Sequence, residues 1–160
     1  MSNIRKLESL NKEEALDALQ NAYGIYARDV YKGLSEELRA DKDITLSAVQ
    51  KSGWSLEYSS EALRDDKEVV IVAVSKQGEA LIHASDRLKA DKEVVKTAVN
   101  RNGHALEHAS EDLRADKGIV LLAVQQNPLA LEYADKELRT EVLSSSVADI
   151  AHELDEELER

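Results

Sequence analysis

The sequence predicts an all-α protein: a short α-solenoid of four 25-residue helical repeats with N- and C-terminal helical caps. Three observations predict it: a fixed offset of 25 residues between matching positions, helical spacing of apolar residues in each copy, and alanine at one repeated position. Such periods are typical of solenoids, in which each unit buries its apolar face only against its neighbours. The expected units are residues 41–65, 66–90, 91–115 and 116–140, within a repeat region over residues 34–140 of one structural domain.

The offset is visible in several series of residues. An Asp-Lys pair opens each copy, a glycine or proline follows near the middle, and two leucines come later. The members are Asp41-Lys42, Asp66-Lys67, Asp91-Lys92 and Asp116-Lys117; Gly53, Gly78, Gly103 and Pro128; Leu56, Leu81, Leu106 and Leu131; and Leu63, Leu88, Leu113 and Leu138. So many matches at one offset indicate tandem repetition rather than chance.

Residues 1–33 are expected to form an N-terminal helical cap. Asn11 can cap a helix over residues 12–31, with Glu14 as the reciprocal partner. Five apolar side chains are predicted to share the inward face of this helix: Leu16, Leu19, Tyr23, Tyr26 and Val30. Because Gly24 lies inside the pattern, a break near it is an open alternative.

The first half of each unit is predicted to be a helix with a narrow apolar stripe. In the third unit this stripe consists of Val94, Val95, Ala98 and Val99. A β-strand is the alternative, but strict alternation of apolar and polar residues is absent. Asp91 is placed to cap the first turn, and the glycines are expected at the left-handed position after the helix.

The second half of each unit, such as residues 104–115, allows two readings. It can be one helix, or a short helix that ends near Ala109 and is followed by a turn at Ser110; we favour the broken form because serine suits turns and caps. Pro128 replaces the glycine in the last unit and pushes Asn127 towards extended geometry. The turn there is therefore expected to differ from the other three.

Residues 141–160 are expected to form an acidic C-terminal capping helix, with Ser146 as its cap. Its apolar stripe would comprise Val147, Ile150, Ala151, Leu154 and Leu158. This segment carries seven acidic residues and one basic residue, whereas the repeats are nearly balanced in charge.

The composition excludes several classes of protein. The chain has 160 residues and a formal net charge of −11, so a binder of nucleic-acid backbones is disfavoured. It contains no cysteine, which excludes disulfides and thiolate metal sites. No apolar run approaches the about 20 residues that cross a bilayer, and the N-terminal residues lack the apolar stretch of a signal peptide. We expect a cytoplasmic protein without a membrane or nucleic-acid partner.

The pattern DKEVV-x-x-AV-x-x-x-G-x-AL-x-(Y/H)-AS-x-x-L-(R/K)-x-DK resembles the repeat known as domain of unknown function 4116. Residues 66–91 and 91–116 carry the pattern most fully, and the resemblance covers residues 34–140. It implies tandem helical repeats. It implies no activity, and no functional residue can be transferred from it.

Six residues are candidates for partner binding because they are aromatic or imidazole side chains at recurring or variable positions. They are Trp54, Tyr58, His83, His104, His108 and Tyr133. Amphipathic rings in a row can form a contact stripe, since aromatic residues are enriched at binding hot spots. The alternative is that these rings pack between units and serve only the stack.

One stretch matches a catalytic motif. Residues His104, Glu107 and His108 fit the H-x-x-E-H pattern of zinc proteases, in which both imidazoles of one helical face hold zinc. The repeat explains two of the three residues, because His108 stands in the column of Tyr58, His83 and Tyr133, and Glu107 in that of Glu57 and Glu132. We therefore expect neither a metal nor another cofactor, and no catalytic residue.

A second recurring set consists of bases located two residues before each repeated acid. Its members are Arg39, Arg64, Lys89, Arg114 and Arg139. Pairing between units or capping of helix ends is one interpretation, and a groove for an acidic ligand is the other.

The sequence is best interpreted as a non-catalytic protein–protein interaction module, a helical-repeat scaffold or adaptor that binds another protein. One alternative is an acidic inhibitor that mimics nucleic acid or blocks a basic site, carried by the C-terminal segment. Another is a metal-dependent enzyme through His104 and His108.

Overall fold

The computed structural model describes residues 7–23 and 25–145. All the elements in those ranges are helices, and from residue 42 three of them recur in fixed order. Each unit has a ten-residue α-helix, a six-residue 3-10 helix and, in three of the four units, a separate four-residue α-helix. The long helices are Lys42–Lys51, Lys67–Lys76, Lys92–Arg101 and Lys117–Gln126; the 3-10 helices are Gly53–Tyr58, Gly78–His83, Gly103–His108 and Pro128–Tyr133; the short helices are Glu61–Arg64, Asp86–Lys89 and Glu111–Arg114. The predicted short all-α solenoid is confirmed.

The repeated aspartates begin the long helices. The Asp91 carboxylate accepts hydrogen bonds from the backbone N–H groups of Glu93 at 3.0 Å and Val94 at 3.1 Å. Asp66 makes the same pair of bonds in the preceding unit. Because the first N–H groups of a helix lack intrahelical acceptors, this capping stabilises the first turn.

As we predicted, the second half of each unit is not one continuous helix. It begins with a 3-10 helix, and a separate α-helix follows. The Ser110 hydroxyl accepts a hydrogen bond from the Leu113 N–H and so caps the short helix. The Ser110 backbone N–H donates to the Lys89 carbonyl of the preceding unit at 2.9 Å. The serine that caps the short helix therefore also joins neighbouring units.

The main core runs along the stack of long helices. Neighbouring long helices pack against each other. The stripe Val94, Val95, Ala98 and Val99 is fully buried, and in the last unit only Val124 of the stripe is partly exposed. The inner residues of the 3-10 and short helices, such as Leu106 and Leu113, complete the same cluster. Burial of this stripe is the main stabilising contribution of each unit.

The repeated glycines are required by close packing rather than by a left-handed backbone. Gly78 begins a 3-10 helix with no positive φ, so the expected left-handed geometry is wrong. A Cβ atom on Gly78 would lie closer than 3.0 Å to the Ala98 carbonyl oxygen of the next unit, and Gly53 and Gly103 meet Ala73 and Ala123 in the same way. Glycine in one unit thus fits against alanine in the next.

The turn before Pro128 does not differ from its counterparts, contrary to expectation. Asn127 has φ −151° and ψ 113°, and Asn102 in the preceding unit has φ −154° and ψ 117°. The extended geometry that a proline imposes on its predecessor is therefore already present in the glycine-containing units. Proline fits here because it occupies the first position of a 3-10 helix.

The N-terminal segment folds as two helices, α1 (Lys12–Asn21) and α2 (Ile25–Lys32), followed by a short helix, α3 (Glu36–Arg39). Asn11 and Glu14 form the predicted capping box. The break near Gly24 is present between α1 and α2. The shared inward face is wrong in part, because Tyr23 is 85% exposed and Tyr26 66% exposed.

The break explains this error, since it ends the helical register that aligned the tyrosines with Leu19. The buried aromatic side chain of the segment is instead Tyr31, whose hydroxyl donates to the Arg39 carbonyl at 2.9 Å and lies 2.7 Å from the Thr45 Oγ1. Burial raises the pKa of Tyr31 to about 12. This ring fixes α2 to the first long helix.

At the other end, residues 136–145 form one continuous helix. Thr140 stands where the other units have the residue that ends the short helix. Glu141 stands where they have the aspartate that caps the next long helix. The predicted cap Ser146 and its apolar stripe lie outside the described residues. The bounds of the two caps stay a prediction, and no helix in the described part of the chain has the length and apolarity to cross a membrane.

Candidate functional site

All six predicted binding residues lie on the 3-10 helices and are half-buried. In the first three units the first, third and fourth residues of each 3-10 helix are buried, while the second, fifth and sixth are half-buried or exposed. In the third unit Gly103, Ala105 and Leu106 are buried. The outward residues of the four 3-10 helices form one surface, which we call the ring face.

The ring face contains contacts between rings of neighbouring units. The Trp54 and His83 ring centroids lie 5.9 Å apart at an interplanar angle of 77°. His104 and Tyr133 repeat this edge contact at 5.8 Å and 67°. The structure thus joins four of the six predicted residues in two pairs, each linking the second position of one 3-10 helix to the last position of the next. Such edge-to-face pairs are worth about 0.5–1.5 kcal/mol beyond area burial.

His104 has a second contact that the sequence did not indicate. Its Nε2 lies 2.8 Å from the Nδ2 of Asn127, the residue immediately before Pro128. Asn127 also accepts a hydrogen bond from the Leu129 N–H. The imidazole is therefore held between Asn127 and Tyr133.

Tyr58 lies against cations of the N-terminal segment instead of another ring. The Arg28 guanidinium lies 5.4 Å from the Tyr58 ring centroid and the Lys32 ammonium 5.1 Å from it. Arg28 also pairs with Glu57 at 2.5 Å. Burial is the largest single effect on Glu57 and raises its pKa. The hydrogen bond and charge of Arg28, together with Tyr58 and His83, outweigh burial, so the pKa of Glu57 lies below its ordinary value.

Arg28 and Lys32 were not among the predicted site residues. The available signal was the mismatch at residue 28, where an arginine aligns with the glycine of the repeat. In the structure this mismatch places a cation over the first ring of the series, an interaction worth about 0.5–1 kcal/mol at an exposed site.

His83 and His108 occupy the same position in consecutive units. Burial lowers the pKa of both imidazoles. Glu57 opposes this shift at His83, and Glu107 opposes it at His108. Both rings therefore favour the neutral form in the folded protein, as expected of an imidazole held against a neighbouring unit.

The H-x-x-E-H stretch lies on a 3-10 helix, not an α-helix. With three residues per turn, residues four apart point about a third of a turn away from each other. His104 contacts Tyr133, while burial and Glu107 govern the charge of His108. Within the described residues no three His, Asp or Glu side chains are grouped so that they could hold a metal ion.

Three of the recurring bases line shallow surface depressions, two of them together with a ring. We call Arg39, Arg64, Lys89, Arg114 and Arg139 the basic column. Arg39 and Tyr58 line a depression of about 230 Å³, and Arg64 and His83 line one of about 240 Å³. Arg114 lines an equivalent depression of about 390 Å³. Each of these three depressions therefore contains one base of the basic column and residues at the start of the helix that follows.

The repeat carries a second set of bases with a different role. Lys67 pairs with both Asp91 and Glu93 of the next unit at 2.8 Å. Its counterparts make the same kind of pair, and we call this set the lysine column: Lys12, Lys42, Lys67, Lys92 and Lys117. The hydrogen bond from Lys67 lowers the pKa of Asp91 against the opposing effect of burial, and bonds from the helix N–H groups add to it. Of the two recurring sets of bases, the lysine column thus forms the ion pairs between units.

A family model with the description "Domain of unknown function (DUF4116)" matches residues 11–64, 41–89, 66–114 and 91–139. Together these matches cover residues 11–139, more than half of the chain. The chain belongs to this family. Each DUF4116 match spans two neighbouring units, and the last three begin at residues 41, 66 and 91.

The first DUF4116 match begins at residue 11, the cap of α1. In agreement with this start, Lys12 pairs with Asp41 at 2.8 Å, as Lys42 pairs with Asp66. Residues 11–40 therefore share the lysine pairing and the three-helix order of a DUF4116 unit, although their second helix is an α-helix and not a 3-10 helix. No curated protein and no solved structure matches the chain.

Proposed function

We propose that this protein is a non-catalytic protein–protein interaction module that docks a partner protein on its ring face. The observation that carries the proposal is the pairing of rings across units, Trp54 with His83 and His104 with Tyr133, on a surface that stays half-exposed. Large, rigid, amphipathic side chains of this kind dominate protein interfaces. A cytoplasmic location is part of the proposal, and fractionation of native cells checks it.

The variation between units supports the same proposal. The second position of the 3-10 helices is Trp54, Glu79, His104 and Leu129 in turn. Leu129 is 67% exposed, although it is a large apolar residue. Positions that maintain the stack, such as the glycine and alanine pairs, vary little, while this outward position changes its chemistry in every unit. A surface of this kind can be specific for a partner without disturbing the stack.

Site-specific photo-cross-linking in native lysate tests the proposal. A photoreactive phenylalanine derivative is placed at His108 on the ring face, and in a separate variant at Asn100, which is exposed on a long helix. The expected result is a discrete cross-linked protein with the probe at residue 108 and a much weaker product at residue 100.

Two background variants make the result specific to the ring face. The product at residue 108 should disappear when Trp54→Ser and Tyr133→Ser are combined, because both ring pairs are then lost. It should persist when Lys96→Ser and Gln125→Ser are combined, because both residues are exposed on long helices. Equal products at residues 100 and 108, or a product that survives loss of both rings, would contradict docking at this surface.

A further inference from the structure

We propose that the basic column and the rings beside it bind an extended acidic peptide of the partner, with one carboxylate at every third residue. This inference rests on the proposed function and specifies the chemistry of the partner segment. The observation behind it is the contrast between the two sets of bases.

Within the described residues, the basic column has few carboxylate partners. No acidic oxygen lies within 4.0 Å of the charged nitrogens of Arg39, Arg64, Arg114 or Arg139, and Lys89 reaches only Asp86, at 4.0 Å. The Nε atoms of Arg64 and Arg114 are buried and have no hydrogen-bond acceptor. A row of half-buried guanidinium groups without counterions, in a chain of net charge −11, is a surface for ligand carboxylates.

Hydrogen bonds already hold part of the row in place. Arg39 donates to the carbonyl oxygens of Leu34 at 3.2 Å and Tyr58 at 3.0 Å. Arg139 donates to the Glu132 carbonyl at 3.2 Å. These bonds fix the side chains beside the 3-10 helices but leave their charge unneutralised. Binding of a carboxylate then requires little ordering of the arginines, which favours affinity.

The spacing of the depressions suits an extended peptide. They occur at the same repeat position at Arg39, Arg64 and Arg114, and packed helices of neighbouring units lie about 8–10 Å apart. A polyproline II peptide rises about 3.1 Å per residue with three residues per turn, so equivalent side chains recur about every 9.3 Å. Every third residue of such a peptide therefore meets the next depression in register. Grooves lined by aromatic side chains are the usual receptors of this conformation.

The acidic neighbours of the row favour a peptide over a nucleic acid. Exposed carboxylates line the same depressions as the arginines: Glu36, Glu61, Asp86, Glu111 and Asp135. They repel any anionic ligand, so a depression with one arginine suits a chain that places a single carboxylate there and offers backbone N–H donors to the other acids. A phosphate backbone carries a charge on every nucleotide and has no such donors.

Fluorescence polarisation on the full chain tests the inference. The probe is a labelled peptide of four Glu-Pro-Pro repeats, and the comparison peptides replace glutamate by glutamine or lysine, or place it at every second residue. The glutamate peptide with period three should bind most tightly. Combined Arg64→Gln and Arg114→Gln should weaken it roughly tenfold or more, the loss of about 1.4 kcal/mol of binding free energy.

Combined Lys67→Gln and Lys92→Gln is the matched control, since it removes the same charge from the lysine column and should leave the affinity unchanged. Amide chemical shifts of the unaltered protein provide a second readout, with changes expected at residues 58, 83, 108 and 133 and not on the long helices. The inference would be overturned if both double variants weakened binding equally or if all peptides bound equally well. Chemical-shift changes on the long helices, or tighter binding of an oligothymidylate, would also overturn it. No binding of the glutamate peptide would also overturn it, and cross-linking at residue 108 would then still support the proposed function.

Discussion

The long-helix stack and the ring face repeat with the same period but depend on different contacts. In the stack, Gly78 meets the backbone carbonyl of Ala98, so backbone approaches backbone. On the ring face, Trp54 meets His83 through side chains that remain half-exposed. Backbone contacts allow almost no change of residue, whereas side-chain contacts allow several ring types. A residue that recurs in every unit therefore has a structural role. A position that keeps the same residue type indicates contact between backbones, and a position that accepts several ring types indicates contact between side chains.

The largest effect is expected where backbone meets backbone. Gly78→Ala places a Cβ atom closer than 3.0 Å to the Ala98 carbonyl oxygen, and such overpacking should lower the free energy of unfolding by about 1–3 kcal/mol or more. Urea denaturation measures the change.

The control for this prediction is Gly118→Ala, on the long helix of the last unit. An added Cβ there would contact only the side chain of Asp116, at 3.2 Å. Alanine should raise the unfolding free energy at this helical position by up to about 1 kcal/mol. If both substitutions stabilise the protein, the units do not pack through glycine and alanine as described.

The repeat period, the all-α class and the capping aspartates could be predicted from the sequence, because each rests on local chemistry. Asp91 is an example, since an acid before an apolar stripe is sufficient to indicate a helix start. The repeated glycines lie at the turn predicted from the sequence, but the left-handed backbone to which the prediction attributed them is not present there. A glycine is equally compatible with a left-handed residue and with a close neighbour, and only the position of Ala98 in the next unit decides.

The candidate site was predictable as a set of residues but not as a set of contacts. Trp54 and His83 lie 29 positions apart, an offset that differs from the period, so the columns alone could not pair them. The contact of His104 with Asn127 depends in the same way on how one unit lies on the next. The two kinds of base also look alike in sequence, and only the distances separate the paired lysines from the unpaired arginines.

An intermediate effect is expected at the helix caps. A capping aspartate such as Asp91 both begins its own helix and pairs with a lysine of the preceding unit. Asp91→Ala removes the acceptor of two N–H groups and the partner of Lys67, and should lower the unfolding free energy by about 1–2 kcal/mol. Asp91→Asn keeps a capping side chain and removes the charge, so its loss should be smaller. Urea denaturation at about pH 7 measures both.

The pH dependence checks the electrostatic part of this prediction. The folded-state pKa of Asp91 lies below the ordinary value of 3.8, so its charge stabilises the fold above that value and the contribution is lost as the pH falls through the folded-state pKa. The difference between Asp91 and Asp91→Asn should therefore shrink in acid. A difference that stays constant from about pH 7 to about pH 3 would show that the pair with Lys67 contributes nothing.

The smallest effect is expected on the ring face, from protonation of His83 and His108. Burial lowers the folded-state pKa of both below the ordinary value of 6.5. The unfolded chain then binds protons first as the pH falls, so the unfolding free energy should decrease from about pH 6.5 downwards. Combined His83→Tyr and His108→Tyr, which introduces the ring already present at residues 58 and 133, should remove this part of the pH dependence.

Urea denaturation between about pH 7.5 and about pH 5.5 measures the difference in slope, because Asp and Glu with ordinary pKa values stay charged there. Burial sets the direction of the pKa shift at His83. Among the charged groups around it, Glu57 opposes the shift, and Arg64, Arg28 and His108 add to it. A steeper slope in the double variant, or the same slope in both proteins, would show that the imidazoles are not held neutral between units. The ring face would then be a looser surface than the long-helix stack, with rings that turn to solvent when they are protonated.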